Sequence, residues 1–478
     1  MTETQRAPEG MSSKPRIRPA EAGDTRPLSV SARLGRLQFH HSGKFRVLQL
    51  ADIQDGPNVA KDTIRLIEAS LDAVRPDLVV FTGNQIAGYD PAFAETFRKR
   101  RWSAPREYDD PDDAEAALGK TRELVRGAIA RFLEPLTSRR VPFAVTYGNH
   151  DFQCGLDNTE LDAIYRSFPG CVNPEPGAEA HVLPADALLH DQVVYPHAAG
   201  TFALPVSDQE NKRTVLGLVV LDSGDYAHGG GFSGPDSGAL EFLRAVPDLI
   251  GARSAVFQHM PLPEYYDLLK PVSSTTPYAM QGYRAHAAHY YVLDESKVQP
   301  GGYLGEGISC PDASEEFAIL RGDGSGRAAD DGRTTDGEQV MSGTTGMSDA
   351  PDASASAPSA AHAHETDTYV YIGVATGHDH RNGFVGELGG VLMAAAPTCG
   401  FGSYGPAPAK RAARLIEFDI RHPYRPRTQL LEFGELVGKP SSKKAYTYAL
   451  NAQPPQEGEG DDLLRKPSLW SQLKGLFS

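Results

Sequence analysis

Cysteine is scarce: four residues in 478, Cys154, Cys171, Cys310 and Cys399, with no Cys-x-x-Cys pair among them. That excludes a disulfide framework and a thiolate zinc site. Cys154 and Cys171 are near enough in sequence to pair, yet free thiols in a reducing compartment are the expectation. No stretch reaches the roughly 18 apolar residues that a membrane span needs. The opening MTETQRAPEGMSSKPRIRPAEAGDTRP has no apolar leader core and no cleavage-site pattern, so a cytoplasmic location is expected. Positive charge is also short. Against 62 Asp and Glu stand 47 Lys and Arg, a formal charge of -15, which argues against general nucleic-acid binding. An anionic substrate must then be attracted locally, by a metal or a small basic patch.

What is present suits a globular protein. A hydrophobic fraction of 40% and a charged fraction of 23% allow a sizeable core. Residues 1–36, rich in Pro, Glu, Arg and Ser, are expected to form a disordered tail. One domain is expected over 37–434, interrupted at about 322–366 by a disordered Gly/Ser/Ala/Asp/Thr insertion. The polar end, 435–478, closes with Leu469, Trp470, Leu473, Leu476 and Phe477 on one helical face. Such a short amphipathic helix would dock on its own domain or on a partner. Inside the domain the pattern alternates. Short apolar runs at Phe45–Leu50, Leu78–Thr82 and Pro142–Tyr147 enclose helical periodicity at Asp62–Val74 and Asp113–Leu136. This β-α-β order predicts an α/β fold with a parallel or mixed sheet. Further runs at Val215–Leu221, Ser254–Gln258, Tyr369–Val374, Phe384–Ala395 and Arg414–Phe418 predict a second sheet packed on the first. Phe97-Arg98-Lys99-Arg100-Arg101-Trp102 falls in a loop. A solvated loop is the expectation there, and a phosphate-attracting rim is the alternative.

Polar residues gather where the strands end, the place where open α/β sheets bind ligands. They are Asp52 and Gln54 after the first strand, Asn84 after the second, and Asn149, His150 and Asp151 after the third. His259 follows the Ser254–Gln258 run, and His378 and His380 follow Tyr369–Val374. Singly each has a structural explanation: a lone buried imidazole, or an Asn tolerating a left-handed turn. Together, carboxylate, amide oxygen and imidazole make a mixed O/N set suited to Mn, Fe or Zn.

In this order the segments LADIQDG, FTGNQIAG, VTYGNHD, LDSGDY, QHMPLPEY and TGHDHRNGF resemble the calcineurin-like metallophosphoesterases, closest to the purple-acid-phosphatase-related branch. The resemblance runs from about Gly43 to Phe418. It implies two packed mixed β-sheets flanked by helices, a four-layer sandwich, and two divalent metal ions bridged by a carboxylate and a hydroxide. Asp52 and His380 would hold the first metal, and Asn149, His259 and His378 the second. His150, oriented by Asp151, would serve the leaving oxygen of a phosphoester. Two positions depart from the family pattern: Gln54 stands where it has His, and Asn84 where it has the bridging Asp. A neutral amide offers one coordinating oxygen and a non-coordinating NH₂, so weak or single metal occupancy is expected. The readings are thus a metal-dependent phosphoester hydrolase, an impaired metal- or phosphate-binding module on the same fold, or a scaffold acting through the insertion and tail.

Overall fold

The computed structural model describes residues 26–323 and 370–441. Nearly all of the expected insertion, and the amphipathic ending at 469–477, lie outside the described residues. A five-stranded sheet runs in the order Arg427–Glu432, Ala412–Asp419, Lys44–Leu50, Leu78–Thr82, Phe143–Thr146. Its last three strands are parallel and the outer pairs antiparallel. The second, eight-stranded sheet is also mixed. Around its centre, Thr214–Leu221, Ser254–Gln258, Tyr371–Thr376 and Val391–Ala395 lie parallel in that order.

The layers follow from the side-chain pattern. Strands buried on both faces need apolar residues at every position, and Leu78–Thr82 and Ser254–Gln258 are buried throughout. Phe45, Val47, Leu78 and Val80 of the first sheet meet Phe202, Leu218, Val220 and Phe257 of the second in one dry core. The amphipathic helices Lys61–Val74 and Pro111–Arg139 cover the first sheet's outer face. Helix Ser237–Ile250, helix Glu316–Arg321 and a three-stranded sheet (Leu269–Val272, Met280–Gln281, Tyr290–Leu293) cover the second. This is the expected four-layer α/β sandwich.

Local chemistry sets the boundaries. Asp110 caps Pro111–Arg139 by accepting from Asp112 N–H, with Pro111 at the first helical position. The apolar stretch Phe384–Ala395 is a hairpin, Phe384–Leu388 and Val391–Ala395, turned at Gly389 (φ 52°) and Gly390 (φ 78°). The fold also begins earlier than the expected tail boundary at 36. Residues 30–34 form a helix capped by Ser29, and Ser31 Oγ donates to the buried Asp77 carboxylate at 3.0 Å. His40 Nε2 lies 2.7 Å from the same carboxylate. Anchors of this kind are polar and long-range, so apolar periodicity does not reveal them.

Candidate metal and phosphate site

All nine sequence-derived residues come from loops at the carboxyl ends of strands in the two sheets. Asp52, Gln54, Asn84 and His378 have left-handed backbones, with φ of 53°, 44°, 54° and 69°. Strain of this kind persists only where surrounding contacts over-determine it. Close packing supplies them. A Cβ on Gly148 would lie 2.3 Å from Asn84 Oδ1 and 2.7 Å from His259 Nε2, so only glycine lets the two loops meet.

The hydrogen-bond partners assign the atoms. His259 Nδ1 sits 2.9 Å from the Thr82 carbonyl, which can only accept, so Nδ1 carries the proton and Nε2 a lone pair. Asn149 Nδ2 donates to Tyr226 Oη at 2.8 Å, which turns its Oδ1 toward His259 Nε2 at 3.1 Å. His378 Nδ1 is 3.2 Å from the same Nε2. Burial holds both His259 and His378 below the usual imidazole range, His378 strongly so. Asn149 Oδ1 and His259 Nε2 present lone pairs to each other across 3.1 Å, an arrangement that a shared cation would stabilise. That spacing is close to the ~3 Å between donors at right angles about a cation with bonds of ~2.1 Å.

Next to this set lie Asp52 and His380. Burial pushes the Asp52 carboxyl up, but His259, His380 and His378 outweigh it and leave the group below the usual carboxylate range. Its Oδ2 accepts from His378 N–H at 2.9 Å, while Oδ1 and Gln54 Oε1 are buried without a hydrogen-bond partner. His380 Nδ1 is 2.8 Å from the Tyr404 carbonyl, so Nε2 turns its lone pair toward Asp52 Oδ1 at 3.4 Å. Orphaned buried oxygens cost free energy unless something binds them. Among the described residues no three His, Cys, Asp or Glu side chains are gathered to hold an ion by themselves. His259 and His378 stand with the Asn149 amide, and Asp52 stands with His380.

Asn84 is held by hydrogen bonds on both sides of its amide. Its Oδ1 accepts from His150 N–H at 2.8 Å, which turns the Nδ2 amide toward Asn149 Oδ1 at 3.2 Å. The group offered to the donor set is therefore NH₂. One oxygen of Asp55 is engaged elsewhere: Oδ2 accepts from Ala60 N–H at 3.0 Å and Thr63 Oγ1 at 2.8 Å, while Oδ1 is buried without a hydrogen-bond partner. Burial pushes the carboxyl up to about 6.

Asp151 departs from its expected role as the partner of His150. Its carboxylate accepts from the backbone N–H groups of Asn84 (2.7 Å), Gly148 (2.8 Å) and Ile86 (3.0 Å), fastening two loops together. Gln153 orients His150 instead. Gln153 Nε2 donates to the Lys99 carbonyl at 3.1 Å, leaving Oε1 to accept from His150 Nδ1 at 2.7 Å. Pattern reading missed the role of Gln153, which sits one helical turn beyond His150. Tyr226 lay in the quoted LDSGDY segment without a role. Tyr404, stacked on His380 at 4.1 Å, had no sequence signal. Beside Tyr226 opens a cavity of about 800 Å³, lined also by Arg101, Trp102, Asp222, Asp225 and His228.

Comparison with known proteins agrees with the motif resemblance. Residues 45–214 match the family model described as calcineurin-like phosphoesterase, a span that holds Asp52 to His150 but not the later histidines. The protein is 22% identical over 421 residues to "Probable inactive purple acid phosphatase 29" of Arabidopsis thaliana, covering 82% of each chain. It is 26% identical over 271 residues to "Phosphatase DCR2" of Saccharomyces cerevisiae, covering 51% of this chain but only 39% of the yeast protein. Solved structures that align include PhoD (TM-score 0.38, 9% identity, 83% of this chain and 69% of PhoD). Another is GAP50, the anchor in the inner membrane complex of Plasmodium (TM-score 0.36, 11% identity, 86% and 90%).

Proposed function

Residues 45–214 carry a calcineurin-like phosphoesterase match, and on that premise we propose that the protein is a metal-dependent phosphoester hydrolase with an attenuated metal centre. The observation that carries this reading is the meeting of Asn149 Oδ1 and His378 Nδ1 on His259 Nε2, at 3.1 and 3.2 Å, with the orphaned oxygen of Asp52 beside them. Asp52, Gln54 and His380 would hold one divalent ion, and Asn149, His259 and His378 the other, with Mn, Fe and Zn all suited to the O/N set. Such ions neutralise phosphoryl charge and activate water as the nucleophile. The protein's own part is to exclude wrong geometries and to serve the leaving group. His150, held through Nδ1–H by Gln153 Oε1, would in its imidazolium form present Nε2–H as the proton donor to the leaving oxygen.

One observation favours a second reading, a binding module with little turnover. The NH₂ of Asn84 points at Asn149 Oδ1, where the resemblance implies an anionic bridge, and Asp52 is then the one carboxylate of the set. Elemental analysis of protein purified without chelator, followed by hydrolysis assays on p-nitrophenyl phosphate and bis-p-nitrophenyl phosphate with added Mn²⁺, separates the two. Metal-dependent turnover supports the hydrolase; bound metal and phosphate with no turnover support the module.

A further inference from the structure

Just past the LDSGDY segment the chain turns back on itself. Ala227 N–H donates to the Gly231 carbonyl at 3.1 Å and Gly230 N–H to the Ala227 carbonyl at 3.0 Å, with Gly230 and Gly231 at φ of 86° and 75°. Two successive left-handed positions cost glycine little and other residues much more. The reversal sets Phe232 opposite Tyr226 in an antiparallel bridge.

Three rings then stand in a row beside the donor set. The ring centres of Tyr226 and Phe232 are 5.6 Å apart, and those of Phe232 and Tyr283 are 5.8 Å apart. Both ends of the row are tied. The Tyr226 hydroxyl touches Asn149 Nδ2 at 2.8 Å, and Tyr283 N–H donates to Tyr266 Oη at 2.7 Å. In the middle, Phe232 meets the His378 ring edge to face at 4.5 Å, and His150 meets Tyr226 in the same manner at 6.4 Å. The row therefore touches both the imidazole assigned to an ion and the one assigned to the leaving oxygen.

The rings are not equally available. The loop at 97–102, expected to be solvated, closes on Tyr226 instead: Arg98 N–H donates to the Gln153 carbonyl at 3.0 Å, and the Arg100 guanidinium lies over the Tyr226 ring, 3.7 Å from its centre. Phe232 and Tyr283 keep part of their surface exposed. Such rings beside a polar donor set leave apolar area in water, which an apolar group on a ligand would cover.

We infer that Phe232, with Tyr283 beside it, receives the organic portion of the substrate, and that this portion is aromatic: an aryl phosphoester, its phosphoryl group at the Asn149–His259–His378 centre and its ring against Phe232. The inference rests on that centre being a phosphate site, and it names the substrate class. Two independent features favour an aryl group over an alkyl one. Ring–ring contacts add to what area burial alone supplies. The donor set also has one carboxylate, Asp52, so it holds less cationic charge to stabilise a departing oxygen. In hydrolysis the oxygen of water bonds to phosphorus, the bond from phosphorus to the aryl oxygen breaks, and that oxygen leaves as a phenolate. A phenol has a pKa of about 10 and water, which alkanols resemble, one of about 15.7, so an aryl oxygen departs with less help from an ion or an acid.

The test uses the full chain with Mn²⁺ added and two non-hydrolysable probes, methylphosphonate and phenylphosphonate, which differ only in the group on phosphorus. Affinities are measured by calorimetry for wild type, Phe232→Ala and Phe232→Leu, with metal content and melting temperature recorded for each. Wild type is expected to bind phenylphosphonate about tenfold more tightly than methylphosphonate. Phe232→Ala should bring that ratio near one through a loss on the phenyl probe alone, and Phe232→Leu, which keeps apolar bulk beside His378, should fall between. Wild type that binds methylphosphonate with no preference for the phenyl probe overturns the inference and leaves the phosphate site standing. A ratio unchanged in both variants overturns it too. So does an equal loss on the two probes, which would mean that Phe232 only supports His378. Should Phe232→Ala shed metal or melt early, Phe232→Leu is judged by the same criteria. Binding of neither probe by wild type sinks the phosphate reading itself, and this inference with it.

Discussion

At the scale of single residues, the amides decide what this site can do. Asn149 presents its oxygen toward the donor set, and Gln54 Oε1 is buried without a hydrogen-bond partner, while Asn84, locked by His150 N–H, presents NH₂. Replacing that NH₂ by an anionic oxygen should strengthen ion binding. Asn84→Asp is therefore expected to raise bound metal per chain, and hydrolysis on the order of tenfold, as ligand-shell changes commonly do. Elemental analysis that finds the same metal content in both proteins would remove Asn84 from the centre. Two histidines should separate binding from proton donation. His378→Ala is expected to lose metal and activity together, whereas His150→Ala should keep its metal and lose roughly 10²–10⁴ in turnover. Metal loss in both variants would mean that His150 belongs to the donor set after all.

At the scale of elements, the strands stop where their chemistry changes, and the loops between them are held by carboxylates with little solvent contact. Asp151 ties the Asn84 and Gly148 loops, and Glu316 anchors the short helix Glu316–Arg321 by accepting from Gln258 Nε2 at 3.2 Å. Burial pushes the Glu316 carboxyl up from its ordinary value to about 8, with Glu264 adding to the effect. The sign follows directly. Between the unfolded value near 4.5 and about 8, the folded protein binds more protons than the unfolded chain, so stability falls as pH rises through this window. The full effect amounts to a few kcal/mol at roughly 1.4 kcal/mol per pH unit. Glu316→Gln should flatten this limb, and urea titrations of both proteins at pH 5 and pH 8 measure it. An equal drop in the two would assign the pH dependence to other groups. Gly148→Ala should be costly for a different reason. Its Cβ would press on Asn84 and His259, so a loss of about 2 kcal/mol is expected in the same titrations.

At the scale of the whole molecule, the site is assembled between two sheets, since Asp52, Asn84 and Asn149 follow strands of the first and His259, His378 and His380 strands of the second. A cation held across that junction would bind the folded chain and not the unfolded one. Mn²⁺ at a hundred times its Kd is therefore expected to stabilise the protein by about 2.7 kcal/mol, reversed by chelator and read as a melting shift. A melting temperature indifferent to Mn²⁺, Zn²⁺ and Fe²⁺ would tell against any metal bridging the sheets. Among the described residues no helix is long and apolar enough to cross a membrane, and all four cysteines are free. The sequence by itself determined the α/β order, because apolar runs of strand length and helical periodicity are local properties, and it determined which residues stand at strand ends. It also exposed the two substitutions, Gln54 and Asn84, since each sits inside a short contiguous motif. Tertiary structure alone decided which way the Asn84 and Asn149 amides face, that Gln153 and not Asp151 orients His150, and that the Arg98–Trp102 loop closes on Tyr226. Most of those outcomes depend on groups brought together from tens to more than a hundred residues apart, and no local pattern encodes such a meeting.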